Sequence, residues 1–496
     1  MNEFDLQRSG AYAISPSTHI FAREQLLMNI QRTPSSKKLL ILGLGLVGNS
    51  LLSLVLHEGL FRMDNILAVD ASEDAFGLFD ELHGNPENRI FLHVDRSNYR
   101  TVFDRLVPGD VLVVLADGLE SNALLQECLR RGIHFISSSD DSFADDPTPE
   151  YAFPEQIHYD ANRTLQADYR VAPTSILQFG CNPGLISVLS KKALRDIVLE
   201  DQGAYVSENR AALLELLDRG DYPGIAAKLQ VRAMIETDLD TTDTSITEAP
   251  HTLYSTWNTR DFETEMNRRA LLRIGTLATP ESMLRRFRVC GDPVSVGGKC
   301  GSVNQASVHS FHPADRTLIL SHPGKHVRAE GFGPNGSFEG CVIQHEEIVS
   351  LYDYYSMRDS ESRLIYAPTV YFLYRPCPLA MRSLFHEQNN RRELITKDRM
   401  SSGGEAVGIL LEGNRFRSRY AYTELTVDSL SAEFGKASIP DVRSTPTVLQ
   451  VSVSLLAAIR YVLQHPEEGI LYPEDTPPGE MLSYAARYLP VASRKV

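Results

Sequence analysis

The chain has 496 residues, 43% hydrophobic and 23% charged, the balance of a globular protein of roughly two to four domains rather than of a disordered or fibrous one. A net charge of −15 leaves no basic field to displace counterions from nucleic-acid phosphates, and glycines and Asn49 break the longest apolar run, residues 38–56. Neither a nucleic-acid partner nor a membrane span is therefore expected. The six cysteines are scattered without CxxC spacing and the N-terminus lacks the order of a signal peptide, so reduced thiols, no metal site and a cytoplasmic location are expected.

Residues 1–36 are polar and aperiodic and read as an N-terminal arm. From residue 37 the pattern becomes regular. Apolar runs at 37–43, 65–70, 89–94, 110–116, 134–139 and 174–180 are long enough for buried strands and too short for helices. Helix-period segments lie between them, at 47–57, 72–83, 98–106, 119–131 and 155–168. Strands alternating with helices predict βαβ units, hence a Rossmann-type doubly wound parallel sheet over residues 37–184. Beyond Gly184 a helix over 185–197 gives way to acidic and polar stretches. Strand-like runs follow at 302–309, 318–321, 338–345, 367–374 and 407–411, so residues 185–444 read as an α+β domain with an open antiparallel sheet. Residues 446–464 form a strongly apolar helix, and the segment 445–496 is expected to pack back on one of the two domains.

Gly43, Gly45 and Gly48 complete a GxGxxG pattern that follows a predicted strand and opens a predicted helix. Asp70 ends the next strand 22 residues later, the context of a dinucleotide fingerprint. Gly43 permits the tight turn, Gly45 lets the backbone approach a pyrophosphate, and Gly48 lets helix and strand pack. Leu46, Val47 and Gly48 contribute the helix N-terminus and its dipole. Asp70 would accept hydrogen bonds from ribose hydroxyls and would repel a 2′-phosphate, which favours NAD over NADP. Ligands in such sheets bind beyond the carboxyl ends of the strands, so Ala116 and Asp117, Asp141, and Asn182 with Pro183 are further candidates; each also reads as an ordinary turn or cap.

In the second domain, residues 235–240 carry Glu236, Asp238 and Asp240. On composition, such a run reads as a solvated loop. Trp257 is the single tryptophan, and Glu265 follows eight residues on. A lone tryptophan is ordinarily core. An indole and a carboxylate beside an acidic stretch nevertheless provide what a cationic amine needs, a π face and a paired charge.

These residues resemble bacterial homospermidine synthase, within the saccharopine-dehydrogenase-like group, over nearly all of the chain after residue 37. The likeness is strongest at Gly180-Cys181-Asn182-Pro183-Gly184-Leu185-Ile186-Ser187, at Thr256-Trp257 with Glu265, and at Gln344-His345-Glu346-Glu347. The segments 404–411, 449–451 and 465–470 extend it. The resemblance implies an NAD-dependent enzyme that oxidises a diamine such as putrescine to an imine, exchanges it with a second amine and reduces the product with the NADH just formed. It implies small cationic amine substrates and a homodimer. It places Asn182 at the nicotinamide, Trp257 at the cation, Glu236, Glu265 and Glu405 on ammonium groups, and His345 as a proton shuttle. One departure is that Asp141-Ser142-Phe143 stands where the family has Glu-Pro-Trp. Two alternatives stay open: an opine- or saccharopine-type reductase with an arginine clamp (Arg260, Arg285, Arg286 or Arg288), and a catalytically silent NAD-binding protein.

Overall fold

The computed structural model describes residues 34–143, 145–146, 154–291, 300–386, 388–430 and 444–496, so nearly all of the predicted N-terminal arm lies outside the described residues. The first sheet has seven strands in the spatial order Arg89–Phe91, Ile66–Asp70, Leu39–Leu42, Val111–Val114, His134–Ser137, Ser175–Ile176 and Ile470–Leu471. Every neighbouring pair is parallel. The order reverses at Leu39–Leu42, and at its carboxyl end lies the glycine loop, the place where such sheets take ligands. Alternate residues feed two cores: Leu40, Leu42, Leu67, Val69 and Leu112 on one face, Leu39, Ile41, Ile66, Ala68 and Val111 on the other. The seventh strand comes from the C-terminal segment and is only two residues long, too short to show a period.

The second sheet has twelve strands. From its middle to one edge it runs Gly336–Ile343, Thr369–Arg375, Val231–Asp240, Gly404–Gly413, Arg419–Thr426 and Val491–Lys495, the last again from the C-terminal segment. The predicted fold class is borne out with one correction. The sheet is mixed, because Thr369–Arg375 and Val231–Asp240 run parallel and are joined by a long crossover instead of a hairpin. A second correction concerns residues 235–240: they are not a solvated loop but part of a buried strand paired on both edges.

Three local expectations also change. The acidic stretch after the helix Leu185–Glu200 folds into the helices Ala204–Asp218 and Tyr222–Leu229. Residues 302–309 are interrupted by a turn over Gln305–Ser307, which Asn304 caps by accepting from the Ala306 N–H. The segment expected as a helix at 98–106 is a 3₁₀ turn over Tyr99–Arg105, and that at 72–83 is a 3₁₀ turn over Glu73–Phe76 that leads into a short α-helix, Gly77–Glu81. The helix Pro446–Gln464 forms with the expected bounds, capped by Thr445. It is long and apolar enough to cross a membrane, yet 78% of its apolar window is buried inside the protein. It packs on both halves, against the helix Leu46–His57 and against the strands Gly404–Gly413 and Arg419–Thr426, rather than on one domain. One apolar cluster consequently runs through both halves, from Leu39 and Ile41 past Leu455 and Leu456 to Val407 and Ile409.

The cysteine reading is corrected as well. Cys290 and Cys300, brought to a Cα separation of 4.2 Å, form a disulfide, while Cys128, Cys181, Cys341 and Cys377 are free and buried.

Candidate active site

The glycine loop shows why three glycines stand at this spacing. At Gly43, where φ is +104°, a Cβ would sit 2.9 Å from the Ala116 nitrogen, and at Gly48 it would sit 2.1 Å from the Gly43 oxygen. Both positions exclude any side chain. At Gly45 no atom lies within 4 Å of where a Cβ would point. That open space fronts the helix Leu46–His57, whose N-cap Gly45 supplies no side-chain hydrogen bond, so the first-turn amides and the positive end of the dipole are available to an anion. Asp70 accepts from the Leu44 N–H at 2.6 Å through Oδ2 and from the Ser72 N–H at 2.7 Å through Oδ1, tying the strand end to the glycine loop. Residues and empty space together fit a pyrophosphate-containing cofactor.

Beside the loop opens a cavity of about 500 Å³ between the carboxyl ends of the first sheet and one face of the second. Gly45, Leu46, Val47, Gly48, Asp117, Asp141, Asn182 and Pro183 line it from one side, and Trp257, Glu265 and His345 from the other. Gly43, Asp70 and Ala116 lie outside the lining. Glu236 and Glu405 do not reach it either: they are 0% and 2% exposed. The sheet register explains their position. Glu236, Asp238 and Asp240 share one face of the strand, but only Asp238, opposite Tyr374, opens onto the cavity. Glu405 is held back by Gln450, which donates to its Oε2 at 3.4 Å.

The electrostatics follow from that burial. Burial pushes Glu236 and Glu405 well above the ordinary carboxyl range, reinforced by Glu347 for the first and by Asp238 and Asp240 for the second. Burial lifts Asp238 to about 7 even though Asn182 Nδ2 donates to its Oδ2 at 2.8 Å. Glu265, on the helix Thr259–Asn267, is also raised to about 7 by burial, against the pull of His345. Asp261 reaches about 7, by burial and by repulsion from Asp117. His345 behaves oppositely: burial lowers it, but Glu347, bonded to its Nδ1, outweighs burial and raises it to about 10. Its ring stacks on Phe372 with centroids 4.5 Å apart. His345 therefore stands as an imidazolium at neutral pH, a proton donor rather than a base. Glu265, Asp238 and Asp261 are the cavity groups poised near neutrality.

Asp141 lines the cavity, but its carboxylate is engaged with backbone: the Gly118 N–H donates to Oδ2 and the Ser142 N–H to Oδ1 at 2.8 Å. Trp257 is half-buried, packs on the core and also lines the cavity. The lining further includes Asp238, Asp261, Arg268, Phe372 and Tyr374, which the sequence reading does not nominate. For Asp238 a signal exists: acids at 236, 238 and 240 alternate at the period of a strand and so share a face. Among the described residues no group of three or more His, Cys, Asp or Glu side chains is arranged to hold a metal.

Residues 39–172 match the family model of the saccharopine dehydrogenase NADP binding domain. The homospermidine synthase of Blastochloris viridis is 24% identical over 458 residues, 88% of this chain and 86% of that one. That of Mesorhizobium japonicum is 22% identical over 468 residues, 90% and 88% of the two chains. This chain is similar to homospermidine synthases along nearly its whole length. The fold agrees: the crystal structure of the homospermidine synthase of Legionella pneumophila in complex with NAD superposes with a TM-score of 0.76 at 21% identity, covering 94% of this chain and 93% of that one. The resemblance to homospermidine synthase read from the sequence is thereby borne out.

Proposed function

We propose that this chain is an NAD-dependent aminoalkyl transferase of the homospermidine synthase type. The observation that carries this reading is the cavity itself, which sets a glycine-loop helix terminus against an indole and carboxylates that titrate near neutrality. Gly45 and the first-turn amides of Leu46–His57 would hold the pyrophosphate, and Asn182 and Pro183 would lie beside the nicotinamide ring. When bound, NAD supplies the two-electron acceptor that turns the amine into an imine and the donor that reduces the exchanged imine.

The chain's own residues do the rest. The π face of Trp257 and the carboxylate of Glu265 bind the ammonium end of a diamine. Glu265 Oε takes the proton that must leave the nitrogen before its carbon is oxidised. Asp238, fixed by Asn182, adds negative charge where iminium charge develops. His345, held protonated by Glu347, returns a proton to the departing nitrogen. One C–N bond breaks with release of ammonia, one forms to the second amine, and no net oxidation remains.

A specific observation keeps a second reading in view. Arg268 lines the cavity, whereas Arg286 pairs with Glu412 at 2.6 Å and Arg288 with Glu339, away from it. A reductive condensation of an amine with a carbonyl acid would use Arg268 as its carboxylate clamp. Lining carboxylates outnumber that one arginine, which supports the amine reading. Incubation with putrescine and a second amine distinguishes the two. Turnover with catalytic NAD, ammonia release and no accumulating NADH is expected, and a requirement for one equivalent of reduced cofactor per product would refute it.

A further inference from the structure

The indole that faces the cavity is fixed at both ends. Its backbone lies between anchored neighbours: Thr256 Oγ1 donates to Asp240 Oδ2 at 2.8 Å, the Thr256 carbonyl accepts from Thr445 Oγ1 at 2.9 Å, and the Trp257 N–H donates to Ser255 Oγ at 3.3 Å. At the far end, Trp257 Nε1 donates to the hydroxyl of Tyr374 at 3.4 Å. Tyr374 is 4% exposed and lies opposite Asp238 in the sheet. Its ring stands edge-on to Phe262, with centroids 6.2 Å apart and planes at 89°. Phe262 belongs to the same helix as Glu265, so this contact ties the tyrosine to the element that carries the ammonium's carboxylate.

The direction of that N–H has a consequence for a cationic ligand. An indole is negative over its face and positive at its edge, most of all at N–H. An N–H pointing into the cavity would repel an ammonium, which has no lone pair to accept it. Turning it onto a buried phenol hides the positive edge and leaves the face exposed. The phenol suits the task because burial, with Asp238, Asp240 and Glu405 around it, holds it well above its ordinary titration and so neutral.

We propose that Tyr374 is a positioning residue: its hydroxyl takes the Trp257 N–H and so presents the π face of the ring to a cationic amine. This rests on the reading of the cavity as an amine site. Because Trp257 is the only tryptophan of the chain, its emission is a probe of this one place.

The test compares Tyr374→Phe, Trp257→Phe and the double variant in the full chain. Tyr374→Phe removes one oxygen and keeps the ring against Phe262. It should shift the ligand-free tryptophan emission, raise KM for putrescine roughly three- to ten-fold, the worth of one hydrogen bond, and change kcat less. NAD affinity should be unchanged. In the Trp257→Phe background the same substitution should do nothing further, since phenylalanine has no N–H to anchor. An equal loss in both backgrounds, or no KM change in the first, would overturn the proposal. Biosynthetic replacement of the tryptophan by its benzothiophene isostere removes the N–H without touching Tyr374, so it keeps the test valid should Tyr374→Phe fold poorly; it should raise KM similarly, and an unchanged KM would refute the idea. If the wild-type chain transfers no diamine, the aminoalkyl reading fails by itself. The emission comparison still judges the anchor, and an unchanged spectrum in Tyr374→Phe overturns it.

Discussion

Glu265→Gln separates what this carboxylate does for function from what it costs the fold. Burial holds Glu265 near 7, where a carboxyl ordinarily titrates near 4.5. A displacement of that size corresponds to about 3 kcal/mol at pH 8, where the group is ionised, and water in an open cleft reduces it to about 1–2 kcal/mol. The glutamine keeps the shape and removes the charge, so the ligand-free variant should melt a few degrees higher than wild type at pH 8 and nearly the same at pH 5. Turnover should move in the opposite direction. A hydrogen bond between charged groups contributes about 1.5–3 kcal/mol, so kcat/KM for the diamine should fall roughly ten- to hundred-fold. NAD affinity, measured by calorimetric titration, should be unaffected because Glu265 lies on the far wall of the cavity. The reasoning is refuted if the variant melts lower than wild type at pH 8 while turning over diamine normally, for then Glu265 would be an ordinary structural acid.

The remaining expectations concern pH and cofactor. Asp238, Glu265 and Asp261 at about 7 and Asp140 at about 6 bind protons in the folded chain that the unfolded chain has already lost, and His345 at about 10 does so at higher pH. Stability from the four carboxyls is fully present below about pH 4 and lost as pH rises through 6–7, while that from His345 is present below about pH 6.5 and lost as pH rises through 10, so the melting temperature of the ligand-free protein should drop between pH 5 and 8; a rise over that interval would contradict the assignment. On the proposed function diamine binding needs Glu265 ionised, so KM should climb as pH falls below about 7, which a pH series of initial rates reads directly. Gly45→Ala should fold normally and bind NAD more weakly, whereas Gly48→Ala should lower the melting temperature because its Cβ meets the Gly43 oxygen. Asp70→Ala should weaken NAD by about 1–3 kcal/mol. Calorimetry with both cofactors checks the accompanying preference for NAD over NADP, which equal affinities would disprove.

The cofactor half was legible because backbone chemistry writes itself into sequence. Only glycine serves at Gly43 and Gly48, and the four-residue apolar run before them, Leu39–Leu42, is too short for a helix and reads as a buried strand. The acid half was harder to read. Residues 235–240 look like a loop by composition, since buried carboxylates are rare enough for charge to outweigh the period-two alternation that marks a strand. Asp238 was therefore visible as an acid and unreadable as a wall of the cavity. Tyr374 and Phe372 carried no signal at all, because a tyrosine or phenylalanine in an apolar strand is ordinarily core. Their place in the site follows from register, which pairs residues 372 and 374 with 236 and 238 across a parallel contact formed by a long crossover. Cys290 and Cys300 were misread for a related reason: ten residues apart in sequence, they meet only because the fold returns the chain.

Four carboxyl groups near one another in a protein interior are expensive, and their location shows how the fold sustains them. Glu236, Asp238 and Asp240 sit on a central strand whose backbone is bonded on both edges, so repulsion among the side chains cannot be relieved by moving the main chain. Asn182, Thr256 and Gln450 each donate to one of the acids from a different element. Gln450 lies on the helix Pro446–Gln464, which packs on both sheets, and the residues after that helix add a strand to each of them. Pulling the two halves apart to admit water to the acids would therefore expose the shared apolar cluster and break two sheets at their edges. Of these acids only Asp238 opens onto the cleft, where, on the proposed function, a ligand of opposite charge would offset its cost on binding. A neutral cavity of the same shape would fold more easily but would lack the paired charge that the proposed amine site requires.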